Sequence, residues 1–250
     1  MVKVHGAARL TEAHRQKADW QKQASRVLAS GDVSKAVDQY RQRDAVTQVD
    51  HHADAIEALV ETYAMDVAAH GAANSRLAFA HKRKDVHALN QAIRAALRCD
   101  GTSPPETLFA TDAGKRALAR DERIVFTRNA KDIGVKNGML GTVVPAEEGQ
   151  MAVALDSDKD CVVKFNPKDF RSFDHGYAVT IHKSQGATVD QSYVLASRSM
   201  DRHLAYVAMT RHRDDMQLFM NNRDRPIWAT DQKRHLQRTQ TRNRDGPSMG

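Results

Sequence analysis

The sequence predicts an α/β domain interrupted by a small all-β unit, and three observations carry that expectation. The apolar run SRLAFA at 75–80 leads directly into a stretch with Val86, Leu89, Ile93 and Leu97 at i, i+3, i+7 and i+11, a strand feeding a helix. A strand and helix in that order are half of a βαβ unit. After residue 173 the same texture returns, with strands expected at 177–181 and 191–196, a helix at 200–213 and a closing strand at 216–220. Between the two lie short β-rich runs at 123–126, 141–144, 151–155 and 161–165 with no helical period, which suggest a small barrel.

Taken in order, the chain opens with a helix at 10–29, where Ala13, Ala18, Trp20, Ala24, Val27 and Leu28 fall near one face and Ser30-Gly31-Asp32 stops it. Trp20 reads as a core anchor. A shorter helix follows at 34–41 and a more apolar one at 53–69, ended by Gly71. The basic string His81 to Lys84 falls at the carboxyl end of the 75–80 strand, where a solvated turn is the favoured reading over a phosphate contact. Asn137-Gly138 marks a turn between strands of the β-rich unit. Its Arg128, Lys131 and Lys136 serve first to keep a small barrel soluble. The expected division is therefore 1–107, 108–172, 173–222 and a tail at 223–250.

Charge and composition narrow the class of partner. The 38 Lys+Arg against 31 Asp+Glu give a net +7, which favours a polyanion. Seven of those basic residues and three acidic ones lie in 223–250, so +4 of the +7 belongs to the tail, which reads as a disordered or nucleic-acid-binding arm rooted by Trp228. No apolar run approaches the ~18 residues of a membrane span, and the first residues lack the apolar core of a secretory signal. No membrane partner and a cytoplasmic address are the expectation. Cys99 and Cys161 are far apart and have no neighbours at metal-ligand spacing, so neither a disulfide framework nor a metal site is expected.

The stretch 177–190, YAVTIHKSQGATVD, is where function concentrates. An apolar strand ends in imidazole, ammonium, hydroxyl and amide groups, with Gly186 allowing close backbone approach. Ligands of open α/β sheets sit at such strand ends. In the helix expected at 200–213, Arg211 follows Leu204, Val207 and Ala208 by seven, four and three residues, which carries an arginine on or beside the buried face.

These residues carry a resemblance. TIHKSQGATVD, followed about twenty residues later by YVAMTRHRD, resembles motifs V and VI of superfamily 1 helicases, in particular the RecD-like helicase part of the TraA/MobA-type conjugative relaxases. Leu10 to Gln16 is similar to motif IV of the same family, and the likeness extends over roughly residues 15–219. The resemblance implies a RecA-like parallel-sheet domain with an SH3-like barrel insertion over DERIVFTRNAKDIGVKNGMLGTV. It implies that Thr180, His182, Ser184, Gln185 and Gly186 contact single-stranded DNA, and that Arg211 and Arg15 reach ATP bound by a partner motor domain.

Such a motor holds ATP and Mg2+ through a phosphate loop GxxxxGK[ST] and an acidic strand end. Gly114-Lys115-Arg116 lacks both the earlier glycine and the hydroxyl, and Asp121-Glu122 precedes a strand instead of ending one. The expectation is the second motor half of a conjugative-transfer helicase, inactive as an ATPase alone, with ATP and Mg2+ bound only in the intact two-domain motor. Its partners are then single-stranded DNA and an N-terminal helicase/relaxase region. A non-catalytic nucleic-acid-binding module and a truncated inactive remnant of such a helicase are the alternatives.

Overall fold

The computed structural model describes residues 15–71, 74–99, 104–184 and 187–229. Its centre is a parallel five-stranded sheet in the order β1-β12-β11-β2-β10, built from β1 (Val46–Val49), β2 (Arg76–Ala80), β10 (Ala178–Thr180), β11 (Val189–Leu195) and β12 (His212–Asn221). Helices cover both faces. Because β2 is buried on both sides, it reads as a continuous apolar run instead of an alternating one. Leu77 and Phe79 face a core made with α1 (Asp19–Ala29), α2 (Val33–Arg41) and α5 (Arg202–Met209). Ala78 and Ala80 face a second core made with α3 (His52–His70) and α4 (Arg83–Leu97).

The interruption is an antiparallel unit. Strands β5 (Arg123–Phe126), β6 (Leu140–Val144), β7 (Met151–Leu155), β8 (Asp158–Phe165) and β9 (Phe173–His175) form a sheet in the order β8-β7-β6-β5-β9, and β3 (Thr107–Thr111) with β4 (Gly114–Leu118) forms a separate hairpin. No ladder joins β8 to β9 among the described residues, so the paired strands form an open sheet with the hairpin held against it. The Arg116 Nε donates to Asp174 at 2.6 Å, and Phe109 lies edge-on to Phe173 with ring centroids 6.2 Å apart. Phe126, Phe165, Phe170 and Phe173 fill its own core. The unit runs from Thr107 to His175, since β9 pairs with β5.

Three local expectations differ from the structure. The first helix begins at Asp19, because Ala18 is extended and the Lys17 N–H donates to the Arg213 carbonyl at 2.9 Å. The helix expected at 200–213 stops at Met209, because His212 is already in register with Val189 in the parallel ladder. Strand β1 and the β3-β4 hairpin are additions the pattern did not reveal. Residues 10–14, in the stretch similar to motif IV, and the basic tail from 230 onward lie outside the described residues. No helix among the described residues is long and apolar enough to cross a membrane.

Candidate nucleotide and nucleic-acid faces

Two groups of predicted residues lie at opposite ends of the parallel strands. Thr180 ends β10 and is level with Leu195 and Phe219 through their shared register with Ala80, whereas Arg211 immediately precedes His212 at the start of β12. Six residue steps of ~3.3 Å along β11 put the two groups roughly 20 Å apart.

At the amino end, the turn carrying Arg211 is braced by distant parts of the chain. The buried Gln16 amide donates to the carbonyls on either side of it, Thr210 O at 3.2 Å and His212 O at 3.1 Å. The Arg211 carbonyl accepts from Val189 N at 3.0 Å, and Arg213 donates to Asp190 at 3.1 Å. Arg211 Nε itself bonds the Val207 carbonyl at 2.9 Å, satisfying one of the last carbonyls of α5.

Arg211 is 7 % exposed, and burial pulls its pKa down from the ordinary arginine value, with Arg15 beside it adding to the shift. No carboxylate meets it among the described residues. The contrast is with a nearby cleft of about 880 Å³ between α3, α4 and the antiparallel unit, lined by Arg76, Arg98, Arg123 and Arg213. There the arginines are matched to acids, Arg76 to Asp66, Arg98 to Glu122, Arg123 to Asp156 and Arg213 to Asp190. Arg15 is exposed and near enough to act on Arg211 electrostatically, and no carboxylate pairs with either guanidinium among the described residues. Such an arrangement suits an anionic ligand.

At the carboxyl end, β10 passes into a 3-10 turn, Ile181–Ser184, whose Ile181 is fully buried while His182 and Lys183 are exposed. The chain thus leaves the core at Ile181 and presents His182 to solvent. Thr180 is half-buried at the root of the turn. The Ser184 side chain, Gln185 and Gly186 lie outside the described residues. The strand is fixed from α4: buried Asn90 accepts from Tyr177 N and Ala178 N, both at 3.0 Å, and donates to Ala178 O at 2.9 Å.

His81, at the end of the neighbouring β2, stands edge-on to His182 with ring centroids 5.5 Å apart, and its Nδ1 lies 2.8 Å from Ser199 Oγ. Lys82 pairs with Asp224 at 2.8 Å. The basic string favoured as a solvated turn therefore divides, with His81 joining the His182 face, Lys82 paired, and Arg83 and Lys84 exposed. Sequence reasoning missed Gln16 and Asn90. Asn90 stands one residue after Leu89 on the face of α4 that packs inward, a polar residue where burial demands a partner.

The comparisons agree with this fold. The family model described as "Viral superfamily 1 RNA helicase core domain" matches residues 82–220, and one described as "AAA domain" matches residues 1–51. The conjugal transfer protein TraA of Rhizobium radiobacter is 41% identical over 219 residues, 87% of this chain and 20% of the relative. The ATP-dependent RecD2 DNA helicase of Deinococcus radiodurans is 30% identical over 118 residues, 44% of this chain and 16% of the relative. Among solved structures, the Pif1 helicase from Bacteroides, in complex with ADP-AlF3 and single-stranded DNA, superposes with a TM-score of 0.54 at 18% identity, covering 90% of this chain and 55% of that one. That likeness gives the RecA-like α/β fold. The chain spans about a fifth of the length of the TraA relatives it matches.

Proposed function

Since this chain belongs to the superfamily 1 helicase family, we propose that it is the second motor domain of an ATP-driven DNA translocase of conjugative transfer. It holds single-stranded DNA at the carboxyl end of its sheet and offers Arg211, with Arg15, to ATP bound by another motor domain of the whole protein. The observation that carries this reading is the buried Arg211, without a carboxylate among the described residues and beside a second arginine.

The chemistry follows from what each group can do. Phosphoryl transfer spreads negative charge over the equatorial oxygens of the γ-phosphate, and a guanidinium supplied from a neighbouring domain stabilises that charge. The Nε bond to Val207 O fixes the plane of the Arg211 guanidinium and leaves its terminal nitrogens for a bidentate contact. The Gln16 and Val189 bonds to the backbone around Arg211 hold the turn before the nucleotide arrives, so little ordering remains to be done on domain closure. The magnesium that accompanies ATP belongs, in this reading, to the domain that carries the phosphate loop.

At the other end of the strands, the His182 imidazole and the Thr180 hydroxyl bond phosphate oxygens without reading base identity, as stepping along a strand requires. Strands β10 and β11 and their connection, residues 178–195, join the two ends of the sheet, so a shift at the DNA face has a short covalent route to the turn of Arg211.

The test is Arg211→Ala in a full-length protein that includes a phosphate-loop motor domain. DNA-stimulated ATP hydrolysis should fall by about 10³-fold or more while single-stranded DNA affinity changes by no more than about twofold. Near-normal turnover in that variant refutes the assignment.

A further inference from the structure

The antiparallel unit touches the His182 turn at one point where only glycine fits. Gly138 lies in the loop between β5 and β6 with φ +88°, and a Cβ built there would stand 2.8 Å from the Lys183 carbonyl oxygen. That neighbour is backbone, so it cannot swing aside as a side chain would. The glycine is pinned from the other side, its N–H donating to Phe126 O at 2.7 Å, and Asn137 N bonds Asn129 Oδ1 at 2.7 Å. Behind the loop, Val125 of β5 and Leu140 of β6 are buried in the same core as Val179 and Ile181, the residues that flank Thr180. The unit is therefore seated on the strand and turn that present His182, with Gly138 set against the Lys183 carbonyl.

We propose that the Asn137-Gly138 turn is a positioning element for the nucleic-acid face, setting the backbone of Lys183 and through it the pose of His182. This rests on the reading of His182 as a DNA contact. It gives the antiparallel unit a task beyond carrying its own charge, since any force on that unit reaches the DNA grip through a backbone-to-backbone contact. Lys136, two residues before Gly138, is exposed.

The experiment uses the 250-residue chain and a labelled single-stranded oligonucleotide, read by anisotropy and by hydrogen exchange. Gly138→Ala is compared with Gly134→Ala, which has φ +74° in the same loop but nothing within 4 Å of its Cβ, so both carry left-handed strain and only one meets the turn. Gly138→Ala should weaken binding roughly tenfold, the loss of about one charge-assisted hydrogen bond, and speed exchange over residues 181–184. Gly134→Ala should do neither.

Equal effects of the two substitutions on binding and exchange overturn the proposal. His182→Ala separates it from the reading it rests on: unchanged binding there removes the DNA assignment, whereas lost binding there with an unaffected Gly138→Ala removes only the positioning role. Should Gly138→Ala fail to fold, the unaltered chain still decides. The Gly138 amide should exchange more slowly with oligonucleotide bound, and an unchanged rate overturns the coupling.

Discussion

Acid should loosen the turn of Arg211, and the group responsible there is His212. Its imidazole is fully buried, edge-on to Tyr40 at 6.2 Å between ring centroids, with Nε2 3.4 Å from the Tyr40 hydroxyl. Burial pushes its pKa from 6.5 down to about 4, against smaller opposing contributions from a Met209 backbone bond and from Asp214. Between those two values the unfolded chain binds a proton that the folded chain does not. The stability contributed by neutral His212 is therefore complete above pH ~6.5 and is lost as pH falls toward ~4. The gap of 6.5 minus about 4, at 1.36 kcal/mol per pKa unit, is about 3 kcal/mol. For a chain of this size that corresponds to roughly 6–12 °C of melting temperature.

The assay is thermal melting by circular dichroism between pH 7.5 and 4.5, for the parent and for His212→Gln, which keeps a polar group near Tyr40 but takes up no proton. The variant should start lower and show a flatter curve across the window. Asp66, Asp190 and Asp224 are held below the usual carboxylate range by their partners despite burial, Arg76, Ser75 and Lys82 respectively, so their contributions are lost only at lower pH. Asp215, raised by burial, and His175, lowered by burial, titrate in both chains and cancel in the comparison. Parallel curves for the two proteins would refute the assignment of the acid window to His212.

Two further outcomes follow from the bracing. Gln16→Ala strips the donor from two carbonyls beside Arg211 and should cost about 1–3 kcal/mol by urea unfolding. Gln16→Glu, with no N–H to give, should do no better, and full stability in that variant would show the carbonyls are served by another donor. Asn90→Leu removes the acceptor for Tyr177 N and Ala178 N and should cost about 2–4 kcal/mol. It should also weaken oligonucleotide binding, because β10 carries the His182 turn. Stability lost with binding intact would separate the strand from the site.

How much was legible can be judged from the same residues. The helices and strands with a clear period were placed within a few residues, since β2, α2, α3 and α4 each express a burial pattern set by their own sequence. The two misplaced helix ends have one cause. Residues 15–18 and 210–213 bond to each other across nearly two hundred positions of chain, and that pairing overrides a helical pattern that is locally adequate in both places. The same distance hid Gln16, an unremarkable polar residue until Thr210 and His212 are beside it.

The motif strings were legible for the opposite reason, because TIHKSQGATVD and YVAMTRHRD each gather their groups within a dozen residues. Local strings gather the groups we propose for ligand contact but do not disclose what holds them at the right height and angle. Here the holding groups are Gln16, Asn90 and the Gly138 turn, none within thirty residues of the group it holds. Three distant parts of one chain thus converge on two faces whose own residues make few bonds to one another. It follows that substitutions at the holding positions should alter the pose of Arg211 or His182 without touching ligand. The larger effect of each should fall on the group whose neighbouring backbone it holds directly, Arg211 for Gln16 and His182 for Asn90 and Gly138, with a smaller one passed along residues 178–195.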